Sequence, residues 1–216
     1  VNADGKQTPL SSNFTTLKPR DTEKASITPR VDAGQVGVGM PIIVDFDSAP
    51  IDKAAAERRL NVTTSTPIEG AWRWISPKQV VWRPKDYWPS GTQVDVSADM
   101  TGVEFAKKVW GVNTDPVHFE IGRKQVSVAD ITGYDLKVYT NDQLTQTFPV
   151  SNGMGLTGKY ATRDGIKVIM TRENSHRMTA PGLGEDDPGY YNLLVRNALR
   201  TTNSGEFLHA APWSVG

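Results

Sequence analysis

The sequence predicts a mostly β protein, and three observations support that fold class. Gly and Pro, with 19 and 14 of the 216 residues, recur along the chain in turn-like clusters. Between these clusters, apolar and polar residues alternate with the period of two that is typical of strands. Long helical periodicities are rare, and residues 51–60, IDKAAAERRL, are the one good helix candidate, with Asp52 as a cap.

The composition excludes several classes of protein. Because 24 basic residues balance 24 acidic ones, no overall charge favours nucleic acid, and we expect no nucleic-acid partner. No apolar run approaches the roughly 18 residues that a membrane-spanning helix needs. The absence of cysteine excludes disulfides and a cysteine nucleophile within these residues. Three histidines, at His118, His176 and His209, are too few and too scattered to predict a metal site.

Residues 1–30 are polar and rich in turn residues. They are interpreted either as the last hairpin of an upstream β-domain or as a linker. The first ten residues, VNADGKQTPL, lack the pattern of a signal peptide and contain Asn-Ala-Asp-Gly, which favours a hairpin turn. The alternation over residues 14–17 favours weak strand character. We expect the chain to be a mature or trimmed fragment of a longer protein.

Residues 31–121 form a second predicted unit, in which short strands alternate with turns about every eight to twelve residues. Trp72 and Trp74 in AWRWI share one face of a strand, and Arg73 lies on the other. The same alternation predicts the inward-facing residues of two further strands, namely Val94, Val96, Val117, Phe119 and Ile121. His118 is expected to be an exposed strand residue. We interpret the segment as a β-sandwich of immunoglobulin size without the disulfide of antibody domains.

A third unit is predicted from residue 122 to residue 216. It begins with a meander of strands, in which Asn-Asp of YTNDQL favours a hairpin turn. The glycine cluster in GMGLTGKY lacks the Lys-Ser/Thr ending of a phosphate-binding loop and is interpreted as a turn region. DGIKVIM is predicted to be a strand, and TRENSHRMTAPGLGEDDPGYYN a loop that arches over a site. FLH then returns to the sheet and delivers His209 at its end.

Two stretches of sequence resemble a known family. The ending EFLHAAPWSVG resembles the first half of the active-site signature of L,D-transpeptidases, whose catalytic domain is of the YkuD type. EGAWRWISPKQVVWRPKDYWPSGTQV resembles the immunoglobulin-like domain that precedes this catalytic domain in actinobacterial members. The resemblance implies an immunoglobulin-like β-sandwich at 31–121, followed at 122–216 by an incomplete YkuD-type β-sandwich.

The resemblance also implies a nucleophile that these residues lack. In the family, a short loop after the His leads to Ser-His-Gly-Cys, whose cysteine attacks the substrate. We therefore expect the sequence to end before the catalytic loop and predict that the chain as given is inactive. His209 would be the base, oriented by the backbone of Ala210. The alternative is that His209 is a core histidine with its hydrogen bonds satisfied.

Further substrate-binding residues follow from the same resemblance. They are Met170 at the edge of the cleft, Tyr190 on a flap, and Ser204, Gly205 and Phe207 on the cleft floor. Tyr191 could replace Tyr190, and Met170 and Phe207 could instead be ordinary core residues. His176 would lie in the flap and face the solvent. The Thr-Pro-x-Gly turn of the family is not obvious in GLTGKYATRDG, which leaves the alignment of residues 158–165 open.

The implied function is the cross-linking of peptidoglycan in the bacterial cell envelope. A cysteine thioester formed on one stem peptide would pass to the side-chain amine of another, giving a 3→3 cross-link. Carbapenems would acylate the same cysteine, and neither a metal nor an organic cofactor is expected. The protein would be exported and anchored in the membrane upstream of this chain, with the immunoglobulin-like unit as a spacer whose tryptophans lie in its core. The alternative is a non-catalytic envelope module that only binds peptidoglycan.

Overall fold

The computed structural model describes residue 5 and residues 11–16, 18–30, 33–153, 161–180 and 182–214. Within these ranges the protein is mostly β, as predicted. The predicted helix is present but shorter, because α1 spans Lys53–Glu57 and Arg58 is its C-cap. The side chain of Asp52 caps α1 by accepting a hydrogen bond from the Ala55 N–H at 3.0 Å. No helix in the described part of the chain is long and apolar enough to cross a membrane.

The described residues before residue 122 contain eleven strands. They are β1 Asp21–Glu23, β2 Ser26–Thr28, β3 Gln35–Val36, β4 Ile42–Asp45, β5 Leu60–Thr64, β6 Gly70–Ser76, β7 Gln79–Pro84, β8 Gln93–Asp99, β9 Glu104–Ala106, β10 Val109–Gly111 and β11 Asn113–Ile121. Two sheets, with strand orders β2-β4-β7-β6 and β3-β11-β8-β5, share one hydrophobic core, and a small third sheet has the order β1-β10-β9. This arrangement is the predicted immunoglobulin-like sandwich.

The core of the sandwich is built by the predicted alternation. The five residues expected to face inward on β8 and β11 are all at most 3% exposed. Trp72 and Trp74 are half-buried against the core, whereas Arg73 is exposed. His118 is exposed on β11, as expected, and its Nδ1 lies 2.9 Å from Oδ1 of Asp95.

Trp88 is the largest fully buried side chain of this core. It is 1% exposed, and its ring centroid lies 5.0 Å from that of Trp82 and 6.4 Å from that of Phe119. Its indole Nε1–H donates to the carbonyl oxygen of Met40 at 2.7 Å. Trp88 therefore combines apolar packing with a satisfied polar atom, as buried tryptophans usually do.

The first strands belong to the sheets of this sandwich. β1 pairs with β10 in parallel, and β2 pairs with β4 antiparallel. The predicted boundary at residue 30 therefore separates β1 and β2 from the strands to which they are hydrogen-bonded. Strands of three residues carry little pattern of their own, and their partners lie far along the chain. The strand character expected near Phe14 is not found, since residues 11–16 form no strand and Phe14 is 87% exposed. Leu17 and the turn residues 2–4 lie outside the described residues.

After residue 122, the part of the chain that the structure describes contains six strands. They are β12 Gln125–Asp130, β13 Asp135–Thr140, β14 Gln143–Pro149, β15 Thr171–Thr179, β16 Asn192–Arg200 and β17 Phe207–Leu208, and a short 3₁₀ helix at Pro212–Ser214 comes after them. The first three form the predicted meander. Asn141 and Asp142 both have positive φ, at 49° and 64°, which confirms the predicted hairpin turn. Gly155 and Gly158 of the glycine cluster lie outside the described residues.

The second sheet of this region, β15-β16-β17, differs from the prediction. Residues 164–170, DGIKVIM, form no strand, whereas residues 171–179, expected to be part of a loop, form β15. β15 is polar and its side chains are mostly exposed, so hydrogen bonding to β16, rather than an apolar face, defines it. The loop begins only after Thr179 and ends before Asn192. The division of the chain near residue 122 stays a prediction.

Candidate active site

His209 lies directly after the last strand of the β15-β16-β17 sheet. β17 pairs with β16 through Leu208 with Leu199 and Phe207 with Arg200. The N–H of Ala210 then donates to the carbonyl of Arg196 at 3.1 Å. Backbone hydrogen bonds on both sides of His209 therefore hold its main chain against β16.

The imidazole of His209 has a defined orientation. Its Nδ1 lies 3.0 Å from the carbonyl oxygen of Ala210, which can only accept a hydrogen bond. Nδ1 therefore carries the proton in the neutral ring, and Nε2 is left as the basic nitrogen. The ring is half-buried, with its centroid 6.2 Å from that of Trp213, which is 57% exposed. A half-buried ring is not enclosed in a packed core, so this exposure does not favour the alternative of a core histidine.

Ser204 and Gly205 form the turn that leads into β17. Gly205 has a φ of +97°, a conformation that only glycine adopts easily. The turn is closed by hydrogen bonds from the Gly205 N–H to the Thr202 carbonyl at 3.2 Å and from the Glu206 N–H to the Thr202 hydroxyl at 3.0 Å. Local hydrogen bonding therefore fixes the chain immediately before the strand that carries the site.

An ion cluster connects this turn to residues 163–167. Arg163 Nε donates to Glu206 Oε1 at 2.7 Å, and its NH2 group donates to the hydroxyl of Ser204. Lys167 Nζ lies 3.4 Å from Glu206 Oε2. Burial raises the pKa of Glu206, but the Arg163 hydrogen bond and the Lys167 charge outweigh this effect, so the pKa is lowered overall. Glu206 is therefore ionised at neutral pH. No local sequence pattern indicates this cluster, because its partners are about 40 residues apart.

Phe207 is packed by side chains of its own sheet. Its ring centroid lies 4.4 Å from that of His176, with an angle of 27° between the planes, and Arg200 Cζ lies 4.4 Å from the ring centroid. These contacts favour the packing interpretation of Phe207 over an open cleft floor. The expectation that His176 faces the solvent from a flap is wrong, because it lies on β15 with a side chain only 25% exposed.

Met170 and Tyr190 lie at opposite ends of the long strand pair β15–β16. Met170 is 48% exposed, and its N–H donates at 2.8 Å to the carbonyl of Arg200, the residue that pairs with Phe207. Tyr190 precedes Asn192 at the other end of the pair, roughly 25 Å along the strands. The structure thus places Met170 near the β16–β17 hairpin, which contains Ser204 and Phe207 and leads to His209. Tyr190 lies at the far end of β15–β16, away from this hairpin. Tyr190 and Tyr191 are both half-buried.

The described residues contain no group of three or more His, Cys, Asp or Glu side chains arranged to hold a metal ion. The group in this region that the resemblance assigns to catalysis is the oriented imidazole of His209, directly after β17. Such a group can accept a proton from a nucleophile and return it to a leaving group.

Comparison with known proteins identifies two families in the chain. A bacterial Ig domain model matches residues 1–104, and a model of the L,D-transpeptidase catalytic domain matches residues 124–216. The two matched domains follow each other in the order that the family resemblance implies.

Curated relatives match along most of the chain. L,D-transpeptidase 5 of Mycobacterium tuberculosis is 38% identical over 220 residues, which cover all of this chain and 48% of the relative. L,D-transpeptidase 1 of the same organism is 30% identical over 194 residues, which cover 88% of this chain and 70% of the relative. The chain spans about half the length of L,D-transpeptidase 5, and the same is true of L,D-transpeptidase 2, of which it covers 49%.

Solved structures of L,D-transpeptidases are similar to this chain in fold. An LD transpeptidase, LdtMt1, in complex with imipenem matches with a TM-score of 0.73 and 30% identity, covering 91% of this chain and 83% of that one. L,D-transpeptidase 3 from Mycobacterium tuberculosis in complex with a faropenem-derived adduct matches with a TM-score of 0.63 and 27% identity, covering 88% and 81%.

Proposed function

Because the chain belongs to the L,D-transpeptidase family, we propose that the whole protein is an acyltransferase that cross-links peptidoglycan stem peptides through a cysteine thioester. The 216 residues contain no cysteine, and we propose, from the family signature, that the nucleophile is a cysteine after residue 216. The observation that carries the proposal is the hydrogen bond between His209 Nδ1 and the Ala210 carbonyl, which leaves Nε2 as the base.

The first half of the proposed reaction forms the thioester. His209 Nε2 takes the proton of the cysteine thiol, and the thiolate attacks the carbonyl between the third residue of the donor stem and its terminal D-Ala. As the tetrahedral intermediate collapses, the C–N bond breaks. The imidazolium then gives its proton to the departing D-Ala amine. Neutral His209 and an acylated cysteine remain.

The second half transfers the acyl group to a second stem. The side-chain amine of the acceptor attacks the thioester carbonyl and loses a proton to His209, and the C–S bond breaks. The products are an amide, which is the 3→3 cross-link, and the thiol, which is regenerated when the cysteine recovers its proton. The Ala210 carbonyl serves both halves by keeping Nδ1 protonated and Nε2 available.

The same cysteine would react with β-lactams. Known structures in the family are described in complex with imipenem and with a faropenem-derived adduct. We propose that carbapenems acylate this protein as well, because a strained β-lactam carbonyl meets the same thiolate and base.

The proposed place of action is the cell envelope, since the substrate is part of the wall. The protein would be exported and anchored in the membrane upstream of this chain. The immunoglobulin-like unit would act as a spacer, and the burial of Trp82 and Trp88 supports a structural role for its tryptophans.

A cross-linking assay with purified disaccharide-tetrapeptide tests the function. The whole protein should yield dimers whose mass shows loss of one D-Ala per dimer, with a 3→3 linkage by fragmentation. A variant with the cysteine changed to serine and the 216-residue chain should yield no dimers. A whole protein that retains peptidoglycan without forming dimers would overturn the proposal and favour a non-catalytic binding module.

A further inference from the structure

We propose that His176 is a positioning residue for the base His209. Its ring supports Phe207 and thereby fixes the short strand that ends at His209. The inference rests on the proposed function in one respect, namely that His209 is the base. The contacts between His176, Glu173 and Phe207 stand independently of that assignment.

His176 is fixed by its neighbours on β15. Its Nδ1 lies 2.7 Å from Glu173 Oε2, and its side chain is 25% exposed. The ring stacks on Phe207 with a centroid distance of 4.4 Å and an angle of 27° between the planes. The hydrogen bond between the Glu173 carboxylate and the His176 ring limits rotation of the imidazole, so the face of the ring that stacks on Phe207 is held in place.

The strand that carries Phe207 is short, and backbone hydrogen bonds hold its main chain before Phe207 and after His209. β17 contains two residues, and only Phe207 and Leu208 are in register with β16. A longer strand would be ordered by its backbone hydrogen bonds, whereas a two-residue strand depends more on its side chains. Phe207 and His209 are two residues apart, and residues two apart in an extended chain face the same side. We therefore expect a displacement of the Phe207 ring to shift His209.

A second side chain completes the contact surface of Phe207. Arg200 pairs with Phe207 across the strands, and its Cζ lies 4.4 Å from the ring centroid. The His176 imidazole and the Arg200 guanidinium therefore both contact the ring of Phe207, and both contacts restrict its movement. Since β15 supplies His176 and β16 supplies Arg200, the whole sheet fixes the residue that lies two positions before the base.

The tautomer of His209 is the most direct readout, and it needs no catalytic activity. In the 216-residue chain, long-range ¹H–¹⁵N spectra of the histidine rings should show His209 protonated at Nδ1. A His176→Ala variant should lose this preference and show mixed tautomers. A His176→Phe variant, which keeps a flat ring on Phe207, should retain it, and so should Arg172→Ala, a control at an exposed position of the same strand.

Two results would overturn the proposal. The first is an unchanged His209 spectrum in His176→Ala, and the second is a change in His176→Phe as large as that in the alanine variant. Should His176→Ala fail to fold by far-UV circular dichroism, His176→Leu replaces it, because leucine keeps apolar volume without a flat ring.

Acylation kinetics provide a second readout in the whole protein. His176→Ala should lower the rate constant for acylation by imipenem about tenfold, the upper range for loss of one stacked ring pair, with little change in the binding constant. His176→Phe should stay within about twofold of the wild type. An equal loss in both variants contradicts the proposal. If the wild-type whole protein is not acylated, the proposed function fails, and the spectra of His209 still decide the positioning role.

Discussion

A Trp88→Phe substitution should lower the free energy of unfolding by about 2–4 kcal/mol. Loss of the indole N–H leaves the carbonyl of the half-buried Met40 without its donor, which costs about 1–3 kcal/mol. The smaller ring also leaves a void between Trp82 and Phe119, which costs about 1 kcal/mol more. The prediction tests whether the tryptophans of the immunoglobulin-like unit hold its core together or bind sugar.

Urea unfolding followed by far-UV circular dichroism measures this effect without relying on tryptophan fluorescence. The matched control is Trp213→Phe, the same change at a position that is 57% exposed, which should alter the free energy of unfolding by no more than about 0.5 kcal/mol. The reasoning is refuted if Trp88→Phe is as stable as the wild type, and most clearly if that variant also loses affinity for peptidoglycan.

Three further predictions concern local contacts. Gly111→Ala should destabilise the sandwich by about 1–3 kcal/mol in urea unfolding, because its Cβ would lie 2.5 Å from buried atoms of Met100. Hydrogen bonds, above all from the Gly133 N–H, lower the pKa of Asp130 to about 2. The ionised Asp130 carboxylate therefore stabilises the folded state fully above pH 3.8, and this stabilisation is lost as pH falls through about 2. Amide shifts of Gly133 should follow that titration and become pH-independent in Asp130→Asn. Glu206→Gln removes two ion pairs and should lower the thermal midpoint by about 2–4 °C, whereas an unchanged midpoint would show that the cluster contributes nothing.

Sequence patterns predicted the parts of the fold that are determined by residues close together in the chain. The inward residues of β8 and β11 follow from alternation, because one face of each strand is sealed against the opposite sheet. The Asn141–Asp142 turn follows from residue types that tolerate positive φ. The Asp52 cap of α1 likewise depends on atoms three residues apart. The family resemblance predicted both matched domains and their order.

Features that depend on distant partners could not be predicted in this way. β15 has polar residues on both faces, so no periodicity separates it from a loop, and its order comes from pairing with β16. β1 and β2 are too short to carry a pattern. In the site, the position of His209 was expected from the resemblance, but the stack of His176 on Phe207 depends on contact across three strands.

The most direct test of the central claim is the rate at which imipenem acylates the whole protein, compared with its His209→Gln variant by intact mass spectrometry. The account predicts a single adduct on the cysteine of the wild type, formed about a hundredfold or more faster than in the variant, because the variant lacks the base. Equal rates in the two proteins, or an adduct on a residue other than cysteine, would contradict it.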